Sequence, residues 1–295
     1  MTRWRLVLDT DIGSDVDDAL ALAMLLSEPE VELLAVTTAY GDTALRARIA
    51  RRVCQLGGSP GLPIVPGRPQ PLSDRPVSWS GHEGVGVTEL ETAQIDDHLQ
   101  APEVLAELAQ RHRGDLEVAA IGPLTNIAVT LLLHPSFAKD VARLWVMGGD
   151  FSQEGSTEHN FKCDPLAAWI VVHSGIPMTI CGLEITSQVR LGPPAADALA
   201  SQGAIGALLA DQMRRWWQVS GRVGGSPHDP VALLTRLAPK LFEFAEADVA
   251  IVGDGPRAGS TRARFDPGSS IRIVTSVRAE AAHQRIFDGL FRRPG

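Results

Sequence analysis

Short runs of Leu and β-branched residues alternate with longer stretches of helical periodicity through the first two thirds of the chain. The apolar run Trp4–Leu8 predicts a strand and Ala19–Leu26 a helix; Leu33–Thr38 predicts the next strand, followed by a helix whose apolar positions are Leu45, Ile49 and Val53. The Pro- and Gly-rich segment from Pro60 to Pro76 reads as loop. Beyond it, a helix over Val104–Leu108 precedes a strand at Leu116–Ile121. Further strands are predicted at Leu144–Met147 and Met178–Cys181, with a helix from Pro165 to His173 between them. Pro193 to Trp217 is mainly helical, and another helix starts near Asp229-Pro230. Late strands at Val249–Val252 and Ser270–Val274 either extend the sheet or form an edge hairpin.

Strands that alternate with helices imply right-handed βαβ crossovers. The expected fold is therefore α/β, a doubly wound, mostly parallel open sheet of Rossmann-like type with helices on both faces. No repeat or composition break divides the chain, so one domain over residues 1–295 is expected. The loop-rich stretch from Pro66 to Gly86 is long enough to serve as an active-site flap.

Composition narrows the classes of partner. Hydrophobic residues make up 44% of the chain but aromatics only 5%, which suits an aliphatic core around strands buried on both faces. A formal net charge of -8 disfavours nucleic-acid polymers and anionic membranes as partners, while leaving a nucleoside possible as a small ligand. Cys54, Cys163 and Cys181 are odd in number and widely spaced, which reads as reduced thiols rather than a disulfide framework or a zinc site. Asp9 and Asp11 interrupt the early apolar run, and no segment approaches membrane-spanning length. A cytoplasmic protein is expected.

Ligands of open α/β sheets bind beyond the carboxyl ends of the strands. Four such ends carry glycines, amides or carboxylates here: the turn after the first strand, Thr38–Asp42, Ile121–Asn126 and Met147–Asp150. The first is the most telling. Asp9, Asp11, Asp15, Asp17 and Asp18 crowd one strand-to-helix turn, where like charges repel unless something positive sits among them. A helix N-terminus accounts for one or two acidic residues, not five. Oxygen-only ligands point to a hard divalent cation, calcium or magnesium.

These segments resemble the inosine-uridine preferring nucleoside hydrolase family along nearly the whole chain. The family's opening Asp-x-Asp-x-Gly turn and following Asp-Asp read Asp9-Thr10-Asp11-Ile12-Gly13 and Asp17-Asp18. Gly122–Ala128 and Met147-Gly148-Gly149 match its second and third signatures. Glu158-His159-Asn160 with Asp164-Pro165, then His228-Asp229-Pro230, complete the match in order. The resemblance implies the nucleoside hydrolase fold, a bound Ca2+, and hydrolysis of the N-glycosidic bond of ribonucleosides in purine and pyrimidine salvage. It places Asp11, Asp18, Asp229 and the main-chain carbonyl of Ile121 on the ion. It places Asp17, Glu158 and Asn160 on the ribose hydroxyls, with Asp15 as the alternative to Asp17 because this turn is longer by two residues. A homodimer or homotetramer is also implied. In two places the chain departs from the pattern: Gly41-Asp42 replaces a Gly-Asn, and the family's Asn between Met-Gly-Gly and Glu-x-Asn has no clear counterpart in the short Ser152–Thr157.

Breaking a ribosyl C–N bond requires an activated water, negative charge near the sugar, and a proton or hydrogen bond for the departing base. Asp11 is the expected base, with Asp15 in reserve. His228 is the expected donor to the leaving base, and His82 its rival on the flap. On spacing alone His228 reads as a helix-terminal residue before Asp229-Pro230, and the acidic turn with the family match favours the donor. Trp216 is expected to face the base and Trp217 to pack in the core, since adjacent helical residues point apart. Asp9 is expected to bond backbone amides in the turn, and Asp42 to cap its helix or touch substrate. Two other readings stand beside this one: a metal-dependent phosphohydrolase, which also begins with Asp-x-Asp, and a non-catalytic calcium-dependent ribose or nucleoside binder.

Overall fold

The computed structural model describes residues 3–152 and 157–292. Among them are nine strands: β1 (Trp4–Thr10), β2 (Val31–Thr38), β3 (Ile64–Pro66), β4 (Glu117–Ala120), β5 (Arg143–Met147), β6 (Met178–Cys181), β7 (Phe242–Ile251), β8 (Thr261–Phe265) and β9 (Ile271–Val277). They form one sheet in the order β3-β2-β1-β4-β5-β6-β9-β7-β8. Pairing is parallel from β3 through to β9, whereas β7 runs antiparallel to both β9 and β8. The mixed sheet with helices on both faces is the doubly wound arrangement the alternating pattern implies.

Period-2 alternation sorts the strand residues into two cores. In β1, Leu6 and Leu8 pack with Leu22, Met24 and Leu234 on one side. Val7 points the other way, joining Val118, Val146, Leu105, Ile127 and Phe137. Each of these apolar side chains is essentially removed from water, contributing about 1.5–3 kcal/mol apiece. Apolar residues on both faces explain why the central strands read as near-continuous hydrophobic runs.

Register brings the strand ends level. Asp9 pairs with Thr37 on β2 and Ala120 on β4, and Ala120 pairs in turn with Val146 on β5. The residues just beyond, Asp11, Ile121 and Gly148, therefore emerge at one edge. The helix Asp17–Ser27 starts there too, its Ala- and Leu-rich body favouring helix and its first-turn Asp17 and Asp18 complementing the helix dipole.

Four details bear on the sequence expectation. The segment Pro60–Pro76 is not all loop, since its Ile64–Pro66 forms β3 at one edge of the sheet. The late strands take the first of the two expected forms, β7 and β9 both extending the sheet, while β8, which the pattern did not announce, closes its far edge. A further helix, Thr125–Leu133, follows directly on the Gly-Pro-Leu turn. From Gly67 to Gln100 there is neither helix nor strand among the described residues, so the loop-rich stretch runs past Gly86.

Candidate active site

The acidic turn is held from beneath by side-chain hydrogen bonds. Asp9, fully buried, accepts from Thr37 Oγ1 at 2.5 Å and Asn126 Nδ2 at 2.7 Å. Its partners are thus side chains rather than the turn amides expected from sequence, and they tie β1 to β2 and to the helix Thr125–Leu133. Burial pushes the Asp9 carboxyl up to about 7 despite those bonds. Thr10 Oγ1 donates to Asp18 and accepts from Ile12 N at 3.1 Å. Gly122 must be glycine, because a Cβ there would sit 2.8 Å from the Asp11 carboxylate.

Arg46, on the helix Thr43–Leu56, supplies the clamp that sequence reasoning missed. Fully buried, its guanidinium donates to Tyr40 O at 2.7 Å, to the carbonyls of Asp11 and Ile12, and to Ser14 Oγ at 3.0 Å. Nη2 lies 3.9 Å from Asp11 Oδ2. The flap residue Trp79 covers the same guanidinium, its ring centroid 5.0 Å from the cation. The available signal was a charged residue on the inner face of an amphipathic helix, hidden among Arg48, Arg51 and Arg52.

Above this turn opens a cleft of about 490 Å³. Asp11, Asp15, Asp17 and Asp18 line it from the turn, Ile121 from the end of β4, and Glu158 and Asn160 from the helix His159–Cys163. His228 and Asp229 enter from the first turn of the helix His228–Leu237, and Trp216 from the helix Gly203–Ser220. His82 is the one predicted site residue outside that lining. It occupies an adjoining hollow of about 290 Å³ that shares Ser14, Asp15 and Trp216 with the cleft. Its ring stacks on Trp216 with centroids 5.7 Å apart, and Nε2 lies 2.5 Å from Ser14 O. Ser78 and Ser80 bring the flap to the cleft itself. Asp42 caps its helix through Leu45 N at 2.9 Å, and Trp217 is buried in the core.

Charge in the cleft is strongly frustrated. Burial first, then mutual repulsion, holds the carboxyls of Asp15, Asp18 and Asp229 well above the usual range, and Asp17 at about 6. Oxygen atoms of Asp15, Asp17 and Asp18 lie within 4.8 Å of one another, a cluster that could hold a metal ion. Buried carboxylates forced together and supplied only with oxygen donors fit a hard divalent cation. Asp15 belongs to this trio, whereas the resemblance implied Asp11, Asp18 and Asp229 around the ion with Asp15 as a candidate sugar ligand.

One wall of the cleft is built by a short helix. Glu158 caps it, accepting from Asn160 N at 2.6 Å, Phe161 N at 3.0 Å and Gly149 N at 3.0 Å. Burial nonetheless raises its carboxyl. Asn160 Nδ2 donates to the carbonyls of Ile121 at 2.8 Å and Met147 at 3.1 Å, so Oδ1 is its remaining acceptor. The position of the missing family asparagine falls on 152–157, of which 153–156 lie outside the described residues. Elsewhere in the lining, His228 Nδ1 is 2.7 Å from Thr186 Oγ1, and burial lowers the imidazole below its ordinary value.

A turn of acidic residues closing a parallel sheet and completed by a His-Asp pair from far along the chain is the plan of a nucleoside hydrolase. The sequence profile of the inosine-uridine preferring nucleoside hydrolase family runs over residues 6–284, taking in both parts, and the chain belongs to that family. Its reaction is hydrolysis of the N-glycosidic bond of ribonucleosides. Among its relatives, uridine nucleosidase 1 of Arabidopsis thaliana is 31% identical, the match covering 87% of this chain and 81% of that protein. Non-specific ribonucleoside hydrolase RihC of Salmonella newport is 30% identical, over 87% of this chain and 86% of its own. The solved plant nucleoside hydrolase PpNRh1 superimposes with a TM-score of 0.86 at 25% identity, covering 97% of this chain and 98% of that one.

Proposed function

We propose that this chain binds Ca2+ in the acidic cleft and hydrolyses a purine or pyrimidine ribonucleoside, or a close N-riboside, to free base and ribose. One observation carries the reading: Asp11, Asp18, Ile121, Asp229 and His228 meet in a single cleft with Glu158 and Asn160. Several carboxylates and a carbonyl suit calcium, which accepts many oxygen ligands, better than magnesium, which keeps most of its waters. When bound, calcium supplies an acidified water and a grip on the ribose cis diol.

The chain's own groups do the rest. Asp11, fixed at the end of β1 by the Arg46 clamp, takes the water's proton, with Asp15 the next candidate. Asp17 or Asp15, Glu158 and Asn160 Oδ1 hold ribose hydroxyls, and their negative charge favours the oxocarbenium-like transition state. His228 gives a proton to the base as the C–N bond electrons depart with it. Trp216 offers its face to the base, and His82, stacked behind it, is the alternative donor. Membership of the hydrolase family removes the phosphohydrolase reading, and Asp11 and His228 in one cleft favour an enzyme over a silent binder.

We also read the chain as one domain over 1–295 acting in the cytoplasm as a homodimer or homotetramer. The unbroken sheet and the three buried free cysteines support the first two points, and light scattering of the purified protein tests the oligomer. The enzymatic reading is tested by screening common nucleosides for release of reducing sugar. Release from at least one, abolished by a chelator and restored by calcium, is the expected result; release that survives exhaustive chelation refutes it.

A further inference from the structure

Thr186 sits at the end of the short helix Leu183–Thr186, just beyond the carboxyl end of β6, and is completely buried. Its hydroxyl lies 2.7 Å from His228 Nδ1 and 3.3 Å from the carbonyl of Leu183. A hydroxyl has one proton to give. The Leu183 carbonyl can only accept, so a proton directed there leaves Thr186 Oγ1 as the acceptor for an Nδ1–H. The segment before His228 is itself pinned, Leu191 and Gly225 exchanging backbone hydrogen bonds at 2.8 and 2.9 Å. Ring position and tautomer are thereby fixed together, as a third group orients the base of a catalytic pair.

We infer that Thr186 is a positioning residue for His228: it holds the Nδ1–H and so turns Nε2 toward the leaving base in the cleft. The donor form is the imidazolium, with Nδ1–H on Thr186 and Nε2–H facing the base. As the C–N bond breaks, its electron pair goes to the base and the Nε2 proton follows it, leaving the neutral Nδ1–H ring. The ring keeps its Nδ1–H on Thr186 throughout, and the proton lost by the attacking water restores Nε2–H over the cycle. The inference rests on the assignment of His228 as donor.

The test uses the calcium-saturated enzyme and two substrates, its best nucleoside and p-nitrophenyl riboside, whose aglycone departs without a proton. Thr186→Val, which keeps shape but removes the hydroxyl, should lower kcat on the nucleoside about ten-fold or more, with KM little changed. It should spare the activated riboside, Thr186→Ser should restore the nucleoside rate, and Thr186→Val should add no loss in a His228→Ala background. A silent Thr186→Val, an equal loss on both substrates, or a loss that persists without His228 overturns the inference. A silent His228→Ala instead overturns the donor assignment and this inference with it, whereas a damaging His228→Ala beside a silent Thr186→Val overturns this inference alone.

Discussion

Calcium should stabilise this protein far more at about pH 8 than at about pH 5, because the cleft carboxylates repel one another without it. Asp17 shows the size of the effect. Its carboxyl rises from 3.8 to about 6 in the fold, and two pKa units correspond to on the order of 3 kcal/mol. A carboxyl raised on folding adds stability that is fully present below its unfolded value of 3.8 and is lost as pH climbs through about 6. Asp15, Asp18 and Asp229 move the same way. The metal-free protein should therefore lose stability between about pH 5 and about pH 8, and calcium should return it there by binding the ionised forms. More than half of the Asp17 contribution is already gone by about pH 5, so its share of the difference between the two pH values is on the order of 1.4 kcal/mol, roughly 3 °C in Tm. Thermal melts at the two pH values, with a chelator or with excess calcium, measure it. Asp229→Asn should abolish the calcium-induced rise while leaving the metal-free protein as stable as before or more so. A calcium shift equal at both pH values, or retained in Asp229→Asn, would refute the reasoning.

Other substitutions probe the parts separately. Asp15→Asn should weaken calcium binding about ten-fold by calorimetry, reflecting its place in the tight carboxylate cluster. Arg46→Met leaves the carbonyls of Asp11 and Ile12 without their donor, and should cost about 3–5 kcal/mol in urea unfolding. Trp216→Ala should raise KM up to about ten-fold with a smaller effect on kcat, as loss of an aromatic face of about 0.5–1.5 kcal/mol implies.

The sequence disclosed most where local chemistry and periodicity agreed. β1, β2, β5 and β6 are apolar on both faces, so their composition announces them. β3 was invisible because Ile64 and Val65, the two residues between Pro63 and Pro66, are too few to carry a period. β8 was hidden because Thr261–Phe265 is an edge strand whose exposed Arg262 and Arg264 break the apolar pattern. The acidic turn, Glu158-x-Asn160 and His228-Asp229 could be read as a site because each motif is short and ordered along the chain. Arg46 and Thr186 could not, since each acts through a contact that only folding creates: a guanidinium under a turn from 35 residues away, and a hydroxyl against an imidazole 42 residues on. Asp15 shows the same limit. The sequence left it between a sugar ligand and a reserve base, and the fold seats it beside Asp17 and Asp18.

Isothermal titration of the chelator-treated protein with calcium tests the central claim most directly, in wild type and in Asp11→Asn and Asp229→Asn. One ion per chain, lost or severely weakened in both variants, is the result predicted for a site assembled from the two ends of the sequence. Undiminished binding in either variant, or no binding by the wild type, would contradict it.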